Sequence, residues 1–176
     1  MVELIVNTNT YISVADADAY FDDRLFSDTW DNTDADTKAK ALIMATKKID
    51  RLPIIGRKAI DSQTLQFPRM IYSYNRDNLF NSYFVTQEGN KYITNSIGWY
   101  TEDFVSNRVK YATCEEALAL LERGNSKRIK LQQQNVKSFS LGGGISETYG
   151  NRIVKILSEE AQEYLQPYRT TSIPIF

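Results

Sequence analysis

The chain has 176 residues, 42% of them hydrophobic and 24% charged, which fits one globular domain and excludes a disordered or fibrous chain. It contains no histidine and one cysteine, which excludes histidine-based triads, most catalytic zinc sites and an internal disulfide. The formal net charge is -1, but residues 1–50 hold ten acids and five bases, and the rest twelve acids and sixteen bases. The acidic part of one copy could meet the basic part of another head to tail in an oligomer. Alternatively, the two parts could be solvated faces without a partner.

A first helix is predicted near residues 14–25. Ser13 and Asp16 have the spacing of a capping box. The apolar residues behind them recur at helical spacing: Val14, Ala17, Phe21 and Leu25. The acid-rich stretch 16–36 does not match an EF-hand, because Tyr20 and Phe21 stand where that loop needs a ligand and a glycine. Helix caps and a solvated helix face explain these acids.

A second helix should follow, capped by Asn32 or Thr33. Its predicted buried stripe is Ala41, Leu42, Ala45, Ile49 and Leu52. Pro53 should end it, because proline disfavours helical geometry in the residue before it. An ordered loop is expected over 53–69.

An aromatic stretch over 71–104 lacks helical periodicity and indicates an inserted hairpin arm at about 72–103. Two β-type runs, 82–86 and 91–94, flank a turn-like segment. Three aromatic residues of this hairpin are candidate contacts with a neighbouring chain: Tyr83, Phe84 and Tyr92. The arm could equally lie against its own domain.

The strongest helical pattern covers roughly 105–123. Its main apolar stripe is Tyr111, Cys114, Leu118 and Leu121. A helix apolar around so much of its circumference is expected to be central, with Cys114 a small core residue and not a nucleophile. A final helix is predicted over 159–166, capped by Ser158.

A second short hairpin is predicted within 136–149, around Gly142, Gly143 and Gly144. These glycines do not form a phosphate-binding loop, because no Gly-Lys-Ser/Thr follows them. A basic run precedes them: Lys127, Arg128, Lys130 and Lys137. It is either a contact for a DNA backbone or a solvated loop.

The C-terminal tail, 169–176, ends in apolar residues: Ile173, Pro174, Ile175 and Phe176. Terminal residues usually fray unless something holds them, and burying a large apolar side chain is worth roughly 1.5–3 kcal/mol. The tail should therefore pack on its own domain, or join a partner as a strand or a plug in an apolar groove.

Together these patterns predict a mainly α fold: a small helical bundle with one or two β-hairpin insertions and an extended C-terminal tail. Residues 1–176 would form one domain, with a helical core at about 13–70 and 104–168. No stretch approaches the roughly 18 apolar residues of a membrane span, and the first ten residues lack a signal-peptide pattern. We expect a protein that folds in a cytoplasm and uses no membrane, metal or cofactor.

Five segments resemble, in order and spacing, the head–tail connector (adaptor or head-completion) proteins of tailed bacteriophages. They are Thr10–Phe21, Ala39–Leu52, Gln66–Arg69, Val109–Arg123 and Glu159–Tyr168. The opening Tyr-Ile-Ser-Val-Ala-Asp-Ala-Asp and the later Phe-Pro-Arg are the most specific. A related group of sequences carries the label of DnaT-like single-stranded DNA-binding proteins.

The resemblance implies a structural virion protein without catalytic residues, made in the host bacterial cytoplasm. Such subunits form a ring, usually twelvefold, between the portal protein and the next tail or stopper protein. The ring continues the channel through which genomic DNA passes without specific binding. By the same resemblance, the C-terminal tail would hold the portal or a neighbour, and the loop at Gly142–Gly144 would face the channel or a neighbour.

The alternative function is a single-stranded DNA-binding module. Residues 67–111 hold eleven aromatic residues, which suits base stacking, but only five bases against four acids, which gives little attraction for phosphates. An enzyme based on carboxylates has no acid pair at a recognised spacing to support it. A generic interaction domain is a third possibility that the composition allows.

Overall fold

The computed structural model describes residues 3–72, 83–85, 91–94, 99–123, 138–141, 145–148 and 157–169. The helices are α1 (Val14–Asp22), α2 (Asp28–Asp31), α3 (Ala35–Ile49), α4 (Asn107–Arg123) and α5 (Glu159–Tyr164), followed by a 3-10 turn, Gln166–Tyr168. The strands are β1 (Arg57–Lys58), β2 (Arg69–Tyr72), β3 (Tyr83–Val85), β4 (Lys91–Thr94), β5 (Trp99–Thr101), β6 (Ser138–Leu141) and β7 (Ile145–Thr148). The protein is mainly α, as the sequence predicts.

Short polar side chains begin the helices. The Ser13 side chain accepts a hydrogen bond from the Asp16 N–H at the start of α1, and Ser158 does the same for the Ala161 N–H at α5. At α3 the cap is Asp34, which accepts from the Thr37 N–H; the predicted caps Asn32 and Thr33 were wrong by one or two residues.

The first helix ends earlier than predicted. It stops at Asp22, and Leu25, which the apolar pattern assigned to the buried face, is 79% exposed. Just after the helix, the Arg24 guanidinium donates to the carbonyl oxygens of Leu25 and Phe26 and so holds the turn that exposes them. The chain then forms the short α2, which places Trp30 in the core.

The predicted hairpin arm is confirmed and belongs to a larger sheet. β3 and β4 pair antiparallel, with Phe84 opposite Tyr92. β4 also pairs with β5, β5 with β2, and β2 with β1, giving a five-stranded antiparallel sheet in the order β1-β2-β5-β4-β3. The segment 53–69, expected to be a loop, thus supplies an edge strand, and the arm continues a sheet that starts on the core.

The second predicted hairpin is also confirmed. β6 and β7 pair antiparallel from Ser138–Thr148 to Leu141–Ile145. The three glycines between them lie outside the described residues.

The helix α4 is central, as its apolar circumference predicts. It packs against α3 on one side and α5 on another, and it contributes to two core clusters. One cluster includes Val109 with Tyr11 and Phe67, and the other includes Cys114 with Trp30.

The residues of the two most specific segments of the resemblance hold the core together. The Tyr11 hydroxyl donates to Asp50 and accepts from the N–H groups of Gln66 and Phe67. The buried Arg69 guanidinium donates to the carbonyl oxygens of Ile55 (2.7 Å), Gly56 (2.7 Å) and Gln66 (3.2 Å). These motifs are therefore folding motifs: they tie the loop after α3 to the sheet and to the start of the chain.

Candidate nucleic-acid interface

An open groove of about 630 Å³ lies where α1, the start of α4 and α5 meet. Three tyrosines line it: Tyr20, Tyr111 and Tyr164. The rings of Tyr20 and Tyr111 stack with centroids 4.8 Å apart, and Tyr164 meets Tyr111 edge-on at 5.7 Å. Since aromatic faces are what single-stranded bases stack on, this groove is one candidate for a nucleic-acid contact.

The charges of this tyrosine groove do not favour a phosphate backbone. Arg24 and Lys110 line it together with Asp16 and Asp23. The Arg24 guanidinium is already engaged with buried Glu115, at 2.6 Å from Nε to Oε1 and 2.9 Å from Nη2 to Oε2. The groove therefore offers aromatic rings without the positive potential that single-strand binding also needs.

Glu115 also fixes the wall of the tyrosine groove. The Tyr20 hydroxyl donates to Glu115 Oε1 at 2.6 Å. Burial, and then the bond to the Glu115 carboxylate, raise the pKa of Tyr20 above its ordinary value of 10.0. The hydrogen bond to Glu115 thus holds the Tyr20 ring in place as one wall of the groove.

A second candidate surface begins where α3 ends. Between residues 47 and 58 the chain carries five cations and one acid. They are Lys47, Lys48, Arg51, Arg57, Lys58 and Asp50, which we call the basic segment. This is the densest run of positive charge in the part of the chain that precedes the hairpin arm.

Three cations of the basic segment, Lys48, Arg57 and Lys58, have partners within the protein. The Arg57 guanidinium donates to the Met70 sulfur at 3.2 and 3.3 Å. Lys48 forms an ion pair with buried Glu116, and Lys58 Nζ donates to the Gln63 carbonyl oxygen at 2.9 Å. Lys47 is exposed in the last turn of α3, and Arg51 is exposed in the turn that follows the helix. Lys47 and Arg51 form the accessible core of the basic segment.

Asp50 modulates the charge of this segment. Burial raises the pKa of the Asp50 carboxyl, against the opposing effects of the Tyr11 hydroxyl bond and of nearby Lys58 and Arg69. As pH falls, Asp50 therefore loses its negative charge earlier than an ordinary aspartate, and the basic segment becomes more positive.

The opposite end of α3 is acidic. Residues 16–36 hold eight aspartates and one arginine, and α3, with 15 residues and a length of about 22 Å, runs from this end to the basic segment. The helix macrodipole accounts for part of this pattern, since Asp36 lies in the first turn of α3 and Lys47 and Lys48 in the last. The remaining charges extend beyond the helix, which makes the molecule electrically polar along α3.

Few of the residues proposed from the sequence as contacts fall in the described part of the chain. Tyr83 and Phe84 lie in β3 and Tyr92 in β4, the two paired strands of the hairpin; their contact with a neighbouring chain stays a prediction. The glycines Gly142–Gly144, the basic run Lys127, Arg128, Lys130 and Lys137, and the tail Ile173–Phe176 lie outside the described residues. Their roles stay predictions.

Two features were missed at the sequence level: the basic segment and the exposed pair Leu25–Phe26. The basic segment could have been found by counting charges in windows of about a dozen residues instead of over large parts of the chain. The second had no sequence signal, because Leu25 fits the apolar period of α1.

The described residues place the cysteine of the chain in the core. Cys114 is buried, as predicted, and burial raises the pKa of its thiol. No group of three or more Cys, Asp or Glu residues that could hold a metal ion occurs in the described ranges. No described helix combines the length and apolarity needed to cross a bilayer.

Comparison with known proteins gives one family likeness. A family model described as "Putative DnaT-like ssDNA binding protein" matches residues 3–88, just under half of the chain. Neither the curated proteins nor the solved structures gave a match. The chain is thus similar over its N-terminal half to DnaT-like single-stranded DNA-binding proteins, and the comparisons give no support to the connector resemblance.

The matched segment distinguishes the two candidate surfaces. It contains α1 to β3 and all of the basic segment, whereas Lys110, Tyr111 and Tyr164 of the tyrosine groove lie outside it. Of the two surfaces, the basic segment is therefore the one that belongs wholly to the family-like part.

Proposed function

We propose that this chain is a non-enzymatic single-stranded DNA-binding module that contacts the phosphate backbone through the basic segment. The observation that carries the proposal is the pair of exposed cations, Lys47 and Arg51, at the end of α3 within the stretch that matches the DnaT-like family model. Cations at a helix end can follow a phosphate backbone without reading bases. Binding of this kind is independent of sequence and weakens steeply with salt.

The test is a fluorescence anisotropy titration of a labelled mixed-sequence single-stranded oligonucleotide, repeated over a range of salt concentrations. The variant Lys47→Glu/Arg51→Glu should bind more weakly than the wild type. The slope of log affinity against log salt should become shallower by about 0.7 for each phosphate that the variant no longer neutralises.

A matched control is Arg108→Glu. Arg108 is an exposed arginine in the first turn of α4, outside the family-like segment, and a glutamate there suits the helix dipole. This variant should retain the wild-type affinity and salt slope. Binding that does not depend on salt, or that falls equally in Lys47→Glu/Arg51→Glu and Arg108→Glu, would refute the proposed interface.

A second candidate function is the head–tail connector subunit. The observation that favours it is the exposed apolar pair Leu25–Phe26 in acidic surroundings, which suits a protein partner and repels DNA. In this proposal the subunits form a ring in the virion between the portal and the next tail or stopper protein, the tail 170–176 holds the portal or a neighbour, and genomic DNA passes through the ring. Native mass spectrometry of the chain mixed with its portal protein tests it: a symmetry-matched complex, abolished by deletion of 170–176, is expected, and absence of any complex would refute it.

A further inference from the structure

Two apolar residues, Leu25 and Phe26, are exposed at the acidic end of the molecule. The side chains of Leu25 and Phe26 are 79% and 83% exposed. Phe26 has a φ of 61°, in the left-handed region that bulky residues seldom occupy. Strained backbone at an exposed aromatic residue is a reason to look for a function.

The turn that presents this pair is built from the core outwards. Arg24 Nη1 donates to the carbonyl oxygens of Leu25 and Phe26 at 2.8 and 3.3 Å. The Nε and Nη2 of the same guanidinium bind buried Glu115. One side chain therefore joins the exposed turn to α4, so that Leu25 and Phe26 are held outward in a defined conformation.

The surroundings of the pair define its partner. Four exposed aspartates precede and follow it along the chain: Asp22, Asp23, Asp28 and Asp31. Nucleic acid and anionic lipid are repelled by such a rim. A fitting partner surface has an exposed apolar side chain flanked by cations.

The chain carries a surface of that kind on α3. Lys40, Met44 and Lys47 follow one another at spacings of four and three residues, which places them on one face of α3, and Arg51 follows in the turn after the helix. Met44 is 55% exposed and lies between the cations; Lys40, Lys47 and Arg51 are exposed as well. Lys40 is paired with Asp36 at 2.6 Å, so Lys47 and Arg51 carry the positive charge of this face. We call this face the α3 stripe.

We propose that two copies of this chain associate head to tail, with the Leu25–Phe26 turn of one copy on the α3 stripe of the next. Charge complementarity carries the choice of partner: the aspartates around the turn meet the cations of the stripe, and Leu25 and Phe26 cover Met44. Within one molecule the turn precedes the N-terminus of α3, a helix about 22 Å long, while Arg51 lies beyond its far end. Because the two surfaces differ, the contact is heterologous and leaves one free surface of each kind.

The association shares Lys47 and Arg51 with the proposed DNA contact but does not rest on it. The two proposals fail separately, because the Leu25–Phe26 turn takes part only in self-association. A chain that binds DNA and stays monomeric would retain the proposed function and exclude this inference. A chain that associates but does not bind DNA would retain this inference and exclude the proposed function.

Sedimentation velocity over a concentration series, without DNA, is the first experiment. The wild type should associate, more weakly at high salt. Leu25→Ser/Phe26→Ser and Lys47→Glu/Arg51→Glu should each weaken association by about tenfold or more, as removal of a central side chain from an interface does. Ile60→Ser is the matched control, since Ile60 is 62% exposed and belongs to neither surface.

Mixing the two double variants is the decisive experiment. Each retains the surface that is altered in the other, so an equimolar mixture should form a one-to-one dimer and nothing larger. Far-ultraviolet circular dichroism shows that each variant is folded. A wild type that is monomeric at every concentration, a Leu25→Ser/Phe26→Ser variant that associates normally, or a mixture that stays monomeric would each overturn the proposal.

Discussion

The acidic end and the basic segment are attached to α4 in the same way, through two adjacent glutamates. Glu115 binds Arg24 of the acidic end, and Glu116 binds Lys48 of the basic segment. Each carboxylate takes a second donor: the Tyr20 hydroxyl at 2.6 Å for Glu115, and the Ser158 N–H at 2.7 Å for Glu116. Both glutamates are buried while their cationic partners remain partly exposed.

The consequences of this shared arrangement differ at the two ends. Residues 16–36 contain a single cation, and Glu115 engages it, so the surface left there is acidic and apolar. The basic segment contains five cations. Glu116 neutralises one of them, Lys48, so the segment stays strongly positive. The Glu115 pair thus increases the charge separation along the molecule, whereas the Glu116 pair slightly reduces it, so equivalent buried ion pairs have opposite effects on the two surfaces.

The largest expected effect breaks the scaffold of the acidic end. Trp30 is fully buried, packs against Phe21 at 4.6 Å between ring centroids, and donates from Nε1 to Asp18 at 2.8 Å. Trp30→Ala should lower the free energy of unfolding by about 3–5 kcal/mol, because it leaves a large cavity. Urea unfolding measures this, with exposed Thr29→Ala as the control. A decrease below about 1 kcal/mol would show that α2 is not part of the cooperative core.

A smaller effect is expected at the anchor of the basic segment. Glu116→Ala leaves Lys48 without its carboxylate and the Ser158 N–H without an acceptor. We expect a decrease of roughly 2 kcal/mol in unfolding free energy, less than for a fully buried pair, because Lys48 is 35% exposed and can be hydrated. Exposed Glu122→Ala on the same helix should change stability by less than about 0.5 kcal/mol. Equal decreases in the two variants would contradict the anchoring role.

The smallest expected effect is a pH-dependent change in stability at one aspartate from each end, Asp50 and Asp34. Burial raises the pKa of Asp50 above its ordinary 3.8, so the folded state holds that proton more tightly than the unfolded one. Wild-type stability relative to Asp50→Asn should therefore fall as pH rises above 3.8. At Asp34, the hydrogen bonds from Thr37 lower the pKa below 3.8, so stability relative to Asp34→Asn should be present above that value and lost as pH falls through the lowered pKa.

Urea unfolding of the wild type, Asp50→Asn and Asp34→Asn across the acid pH range checks both predicted pH dependences. The asparagine side chains can still accept the bonds from the Tyr11 hydroxyl and the Thr37 N–H, so the substitutions test charge more than geometry. Difference curves of the same sign at both positions would contradict the assignment of opposite pKa shifts to the two ends.

Much of the secondary structure followed from local patterns in the sequence. Ser13 and Ser158 begin helices because a short hydroxyl side chain satisfies a free N–H in the first turn. The α4 boundaries, the β3–β4 hairpin and the β6–β7 hairpin also agree with the prediction, because alternation and helical periodicity report which face of a segment is buried. Of the candidate site, the chain itself supplies the charge: the aspartates of 16–36 and the cations of 47–58 are plain in the sequence.

Only the tertiary structure decided what those charges do. Glu115 and Glu116 look like solvated helix residues until α4 is surrounded by α1, α3 and α5, and burial then makes each of them an anchor. In the same packing Arg24 binds Glu115 just after α1 ends at Asp22, and the turn held by Arg24 leaves Leu25 exposed against its apolar period. The five-stranded sheet likewise needs β1, β2 and β5 to meet across long stretches of chain, and periodicity specifies a buried face but not its partner.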